Sequence, residues 1–214
     1  MTDQPAAPPT ALPVTPRPAA SLLILRETAS GPEMLMGMRG AGHRFMPNRL
    51  VFPGGAVDPA DFDAPVATPL PDHALRRLAI GGDARLAHAL GIAAARELEE
   101  ETSLTLGAAL GAPPALDGLD YLCRAVTPPA SPVRFDARFL VVDAARVSGT
   151  LGGSGELEAL RYYGVAEALA LDLALVTRGV LEKLLEWRAM PPDERAAQTR
   201  VAVLHNRSWA WEGL

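Results

Sequence analysis

The chain holds one cysteine, Cys123, in 214 residues. No intramolecular disulfide can form, and the expected setting is reducing and cytoplasmic. Cys123 itself reads as a small apolar residue of a buried strand rather than a nucleophile. Long apolar runs are also missing. None reaches the ~18 residues that a membrane-spanning helix needs, and the nearest, 165–176, is interrupted by Glu167 and Asp172. No basic segment followed by an apolar run opens the sequence, so no secretory signal and no membrane partner are expected. An excess of positive charge is absent too: the formal net charge is -5. This argues against nucleic acid as the main partner and leaves room for a local basic pocket. The glycine-rich stretch 149–155 lacks the Lys-Ser/Thr of a phosphate-cradling loop and opens no helix.

What is present is a globular balance, 49% hydrophobic and 21% charged. The length suits one domain with extensions. Residues 1–19 are rich in Pro and Ala and read as a flexible leader, with the domain spanning 20–214. The run 21–25 suits a buried strand, 33–39 is its hairpin partner, and Gly31-Pro32 is the turn signal. A loop follows over 40–48, carrying His43 and Arg44 and leading to Arg49. A brief strand over 50–52 is stopped by Pro53-Gly54-Gly55. Prolines and short polar residues make 58–71 irregular. Asp72 caps a short helix through 80, Gly81-Gly82 breaks it, and Asp83 caps a second helix that runs to Thr102. Gly91 is a weak point in that helix. Strands are expected over 119–126, 138–142, 160–163 and, last, 201–204. An amphipathic helix is expected over 173–188, ended by Pro191-Pro192. No repeat is evident, and strands flank single helices without regular alternation. That favours an α+β fold with a mixed sheet over a doubly wound one.

The stretch 94–102 organises the rest. Five of its nine residues are charged and four are carboxylates. On a helix Glu97, Glu100 and Glu101 stand at i, i+3 and i+4, so they share a face and repel one another. They occupy the last turns, the end where the helix dipole disfavours negative charge. Oxygen donors gathered this way suit a hard divalent cation, Mg²⁺ or Mn²⁺. A solvated acidic face is the plainer reading of the run taken alone.

The flanking residues decide between the two. Phe52-Pro53-Gly54-Gly55 is followed by Asp61, and Arg96-Glu97-Leu98-Glu99-Glu100-Glu101-Thr102-Ser103-Leu104 comes later. Together they closely resemble the Nudix box: a Gly, an acidic residue, then Arg-Glu-apolar-x-Glu-Glu-x-Gly-apolar. Gly55 matches the first position, Asp61 stands for its acidic residue, and Arg96, Glu97, Leu98, Glu100, Glu101 and Leu104 match the second half. Three departures stand out. The spacer between Asp61 and Arg96 is far longer than the family's, Asp61 is one methylene short of Glu, and Ser103 replaces the closing Gly. At that position the chain is expected to turn left-handed, at a cost of about 1 kcal/mol for a non-glycine residue. Arg39, Arg44 and Phe52-Pro53-Gly54-Gly55 keep the spacing of the coenzyme A diphosphatase branch, which also shows an interrupted box. Thr127-Pro128 and the run 134–139 resemble that branch as well.

The resemblance implies a Nudix α/β/α sandwich, a mixed β-sheet between helices, and a diphosphohydrolase using Mg²⁺ or Mn²⁺. Glu97, Glu100, Glu101 and a carbonyl of Gly54 or Gly55 are then the metal donors, with Arg96 steadying the carboxylates. The general base is one of these or Glu156. Arg39 and Arg44 would meet the phosphates of a small nucleotide-derived substrate, CoA or acyl-CoA, including the 3′-phosphate. ADP-ribose, NADH or dinucleoside polyphosphates are the rival substrates, and a non-catalytic Nudix binding module is the rival of another class. The insertion, 62–89, reads either as a lid over the acyl chain or as a surface excursion. His73, His88 and His205 lack ligand spacing and read as structural, and Asp58 and Asp61 as turn formers. Trp187, Trp209 and Trp211 read as packing a C-terminal helix or a homodimer contact.

Overall fold

The computed structural model describes residues 14–40, 42 and 46–213. The expectations for residues 1–13, His43 and Arg44 fall outside them. In chain order the elements are β1 (Arg17–Thr28), β2 (Gly31–Arg39), β3 (Leu50–Val51), β4 (Gly54–Ala56), α1 (Asp72–Leu78), α2 (Ala84–Thr102), β5 (Leu104–Thr105), β6 (Asp120–Val126), β7 (Phe135–Asp143), β8 (Ser148–Gly149), β9 (Leu157–Gly164), α3 (Val165–Leu169), α4 (Leu175–Ala189), α5 (Pro192–Ala197), β10 (Arg200–His205) and β11 (Ser208–Gly213). One nine-stranded sheet runs β11-β10-β6-β7-β1-β2-β3, with β4 beside β1 and β9 beside β2. The β1–β7 and β6–β10 pairs are parallel and the others antiparallel, so the sheet is mixed.

Both faces of this sheet are covered, and β1 shows why. Its run Leu22-Leu23-Ile24-Leu25 is buried throughout. Alternate side chains of a strand point to opposite faces, so an unbroken apolar run requires a layer on each side. Leu22 and Ile24 join Leu140, Val142, Leu90 and Leu98 under α2. Leu23 and Leu25 join Met34, Val141, Val180 and Leu184 under α4. The result is the expected α/β/α sandwich. Each fully buried Leu of these layers contributes about 1.5–3 kcal/mol of apolar burial.

Helix α2 starts where Asp83 accepts a hydrogen bond from the Leu86 N–H at 2.7 Å. It ends at Ser103, which is left-handed with φ 58° and ψ 17° and donates its N–H to the Glu99 carbonyl. The acidic stretch therefore occupies the C-terminal turns, as its position in the sequence implied. Gly91 is a packing residue rather than only a weak point: a methyl there would press on Leu116, 2.9 Å away.

Several expectations need correction. The strand begins at Arg17, inside the expected leader, and Ala19 is buried. Gly54-Gly55 does not merely stop a strand but forms one, pairing with Ser21 and Ala20 of β1. Asp72 lies inside α1, whose cap is Pro71. The stretch 62–89 is more than a surface excursion and packs into the core, as its Leu and Ala content implies. Leu70, Ala74, Leu78 and Ala87 are buried, and Arg77 pairs with Asp120 of β6. β10 is not the last strand, because β11 follows it, and Trp209 on β11 packs on Gly179 of α4, as expected of a residue that packs a C-terminal helix. Trp187 lies on α4 and donates from Nε1 to Asp120 at 3.3 Å. No helix among the described residues is long and apolar enough to cross a membrane.

Candidate active site

Strand pairing builds the site. β4 pairs with the first half of β1, which carries Gly54 and Gly55 to the C-terminal turns of α2. Gly54 has φ 153°, and a side chain there would collide with the backbone of Ala20 and Ser21. A methyl on Gly55 would overlap the Glu97 carboxylate. Small residues at both positions are thus what lets backbone and carboxylates meet.

Arg96 is the hub. It grips Asp61 with two parallel bonds, Nε to Oδ1 and Nη2 to Oδ2, both 3.1 Å. It also donates to the Ala56 carbonyl at 3.0 Å, to Glu97 at 2.8 Å and to Glu100 at 3.2 Å. Burial works against its charge, but the bonds to Asp61 and Glu97 outweigh that and raise its pKa. Asp61 is only 2% exposed and also accepts from the Asp58 N–H at 2.8 Å. It is thus a turn former, as read from sequence, and the main anchor of Arg96, which was missed. The clue was its place at the first acidic position of the box. Asp has the shorter side chain, and the tight turn over Pro59–Phe62 brings it within reach.

Glu101, 2% exposed, accepts from the Gly54 N–H at 2.9 Å. Burial pushes its carboxyl up to about 8, repulsion from Glu97 and Glu156 adds to this, and the Gly54 bond and Arg39 oppose it. Glu97 is raised as well, first by burial and then by Glu100 and Glu156, against the pull of Arg96. Glu100 stays 57% exposed. Arg39, at the end of β2, sits 3.4 Å from Glu156 and 3.9 Å from Glu101. Its buried Nε has no hydrogen-bond partner among the described residues.

The structure therefore gathers Arg39, Gly54, Gly55, Arg96, Glu97, Glu100, Glu101 and Glu156. It does not close the carboxylates into a ready ligand set: among the described residues no three Asp, Glu, His or Cys side chains are grouped to hold a metal. Glu97 and Glu100 turn toward Arg96 and Glu101 toward Gly54. The remaining expectations are simpler. Cys123 is buried in β6, with a pKa raised by that burial. His88 meets the Ala64 carbonyl at 3.1 Å, and His73 lies 3.5 Å from Asp120.

A cavity of about 720 Å³ opens beside this cluster. Arg39, Glu97, Glu100 and Glu156 line one end, and the floor is apolar, with Phe52, Phe139, Val126 and Leu204. No residue of 62–89 lines it.

An acidic helix end held by an arginine hub thus faces a cavity on a mixed sheet between helices. Solved structures supply the class. The chain is similar to a Nudix hydrolase from Alicyclobacillus acidocaldarius, at 25% identity and TM-score 0.61, over 86% of this chain and 96% of that one. A MutT Nudix hydrolase from Burkholderia pseudomallei shares the fold at 20% identity and TM-score 0.52, over 80% and 99% of the two chains. So does the Nudix domain of Shewanella oneidensis NrtR, solved with ADP-ribose, at 13% identity and TM-score 0.54, over 81% and 88%. No family model and no curated protein matches the chain. The Alicyclobacillus neighbour is a Nudix hydrolase, which supports a place in that superfamily and an enzyme that hydrolyses phosphoanhydrides.

Proposed function

We propose that the protein is a Mg²⁺- or Mn²⁺-dependent diphosphohydrolase that cleaves CoA or acyl-CoA to 3′,5′-ADP and (acyl-)4′-phosphopantetheine. The observation that carries this reading is the cavity: a charged end and an apolar floor share one space of about 720 Å³. A diphosphate with a long, partly apolar arm needs both.

The residues fit a hard divalent cation. Every donor is an oxygen, and the carboxyls of Glu97 and Glu101, raised first by burial and further by neighbouring carboxylates, would be charged again beside a cation. Glu97, Glu100, Glu101 and the Gly55 carbonyl would hold it. Bound there, such a cation neutralises phosphate charge and acidifies a coordinated water. The chain does the rest. Arg96 fixes Glu97 and Glu100, and the Gly54 N–H fixes Glu101. Arg39, between Glu101 and Glu156, supplies the charge that meets the diphosphate. Deprotonation of the attacking water falls to a carboxylate of this set, Glu156 included. The apolar floor keeps water from the substrate arm.

ADP-ribose stays in the comparison because the NrtR neighbour was solved with it. The intact Glu97, Glu100 and Glu101 speak against a purely binding module. The test is a substrate panel with product identification in Mg²⁺ or Mn²⁺. Release of 3′,5′-ADP from CoA is the expected result. Turnover of ADP-ribose or dinucleotides alone would reject the CoA assignment and keep the enzyme class, while no turnover of any member would reject the reaction.

A further inference from the structure

The cavity also reaches the first turn of α4 and the turn between β10 and β11. Arg17 of β1 pairs in register with Phe135 of β7. Thr127 donates its N–H to the Phe135 carbonyl at 2.9 Å, and its neighbour Val126 pairs with His205 of β10. Arg207 lies in the turn just beyond. These residues form one row across four strands, and at a spacing of ~4.8 Å the row covers roughly 14 Å. Arg17 and Arg207 both line the cavity. Among the described residues neither side chain has an ion pair or hydrogen bond. Of the carboxylates that line the cavity, Asp58 follows Val57, whose N–H donates to the Pro18 carbonyl next to Arg17, while Glu97, Glu100 and Glu156 gather around Arg96 and Arg39.

The first turn of α4 closes this part of the cavity, with Ala174 to Thr177 in the lining. Helix α4 is 15 residues long, and Ala174 provides no side-chain cap. The N–H groups of its first turn have no acceptor within the helix and point out of its positive end. Thr177 adds an independent sign. It is 3% exposed, it lines the cavity, and its hydroxyl makes no hydrogen bond among the described residues. Arg207 is held beside this turn. Trp209, two residues on, packs so closely on Gly179 that a methyl there would meet its ring at 2.9 Å.

We propose that the N-terminal turn of α4, the Thr177 hydroxyl and Arg207 form an anion subsite for a phosphate monoester on the substrate arm remote from the cleaved diphosphate. Arg17 adds charge at the rim. The donors match the need: a phosphate offers three oxygens, and helix N–H groups, a hydroxyl and a guanidinium supply charge-assisted partners. This rests on the reading that the acidic end receives the diphosphate, and it narrows the substrate to diphosphates with a phosphorylated distal arm. It also moves the 3′-phosphate role away from Arg39, which stands with Glu101 and Glu156.

The test is calorimetric titration of the whole chain with adenosine 3′,5′-bisphosphate and with adenosine 5′-monophosphate. The wild type should favour the bisphosphate by about tenfold or more, the value of one or two hydrogen bonds to a charged group. Arg207→Gln and Thr177→Val, each checked for folding by circular dichroism, should each erase most of that preference. Equal affinity for the two nucleotides in the wild type, or a preference intact in both variants, overturns the subsite. Binding is read without turnover. A preference found in a protein that hydrolyses no diphosphate would therefore support the subsite and reject only the reaction.

Discussion

At the α2 end of the cavity Arg96 contacts Asp61, Glu97 and Glu100, and Arg39 contacts Glu156 and Glu101. Arg207, at the α4 end, and Arg17, at the start of β1, contact no carboxylate among the described residues. The same side chain thus serves two purposes. Where arginine is bonded to carboxylates on several sides, as Arg96 is, it is a frame: its position is determined and its charge largely spent, whereas Arg39, at 3.4 and 3.9 Å from its carboxylates, keeps charge for the diphosphate. Where an arginine stands unpaired beside an uncapped helix, its charge is available to a ligand. The first end is built to hold groups still around a reacting bond, and the second to recognise what lies beyond it.

The largest effect should come from the framed carboxylates. Glu97→Gln keeps shape and removes charge, and it should lower metal-dependent turnover by at least about a hundredfold, more than outer partners of a metal site usually cost. Glu100→Gln should act in the same direction. Near wild-type steady-state rates in both would remove these groups from the reaction. Asp61→Asn comes next. It keeps an acceptor for the Asp58 N–H but loses the charged, two-bond grip on Arg96, so a loss of about 10–100-fold in turnover is expected together with a lower melting temperature. Asp58→Asn is its control. Asp58 is exposed and 3.9 Å from Arg96, so its loss should cost under about 1 kcal/mol.

A pH experiment tests the α2 end by itself. The Glu101 carboxyl rises from 4.5 to about 8 on folding. The native state therefore holds that proton more tightly than the unfolded chain does. Glu101 contributes no penalty below its unfolded value. Stability of the metal-free protein should fall as pH climbs from about 4.5 to about 8 and level off above that. Urea midpoints in chelator at about pH 5 and about pH 9 measure this. Glu101→Gln should flatten the trend, and Mg²⁺ should restore more stability at the higher pH, where the carboxylate is free of its proton. A midpoint that rises across this window would mean that burial does not control Glu101.

Much of the frame was legible in the sequence because its signals are local. The unbroken apolar run of β1, the Asp83 cap and the Arg-Glu-x-x-Glu-Glu spacing each lie within one element, and each appears where expected. What escaped depends on partners far along the chain. Gly54-Gly55 reads as a break because glycine favours turns, yet β1 supplies the hydrogen-bond partners that make it a strand. Strand β11 alternates Trp with small and polar residues and lies half-exposed at the sheet edge, so it lacks a core-like run. The link from Asp61 to Arg96 crosses the whole insertion. The α4 end escaped for the same reason: Thr177 and Arg207 come from two separate segments, and no short spacing joins them.

The smallest effect tests whether the frame and the box's sequence rules are one thing. Ser103 takes the place of the closing glycine and pays for it in backbone strain, since its φ of 58° lies in the left-handed region. Its carbonyl neighbours Gly149 on β8, and the side chain has no hydrogen bond among the described residues. Ser103→Gly therefore removes strain and loses no partner. Glycine also loosens the unfolded chain, which offsets part of the gain, so the net should be a stabilisation of up to about 1 kcal/mol, seen as a higher urea midpoint. Turnover should not change, because α2 already ends at the same residue and the carboxylates already sit at their partners. A large gain in turnover would mean that Ser103 leaves Glu100 and Glu101 misaligned, and that the frame at the α2 end is looser than its hydrogen bonds imply.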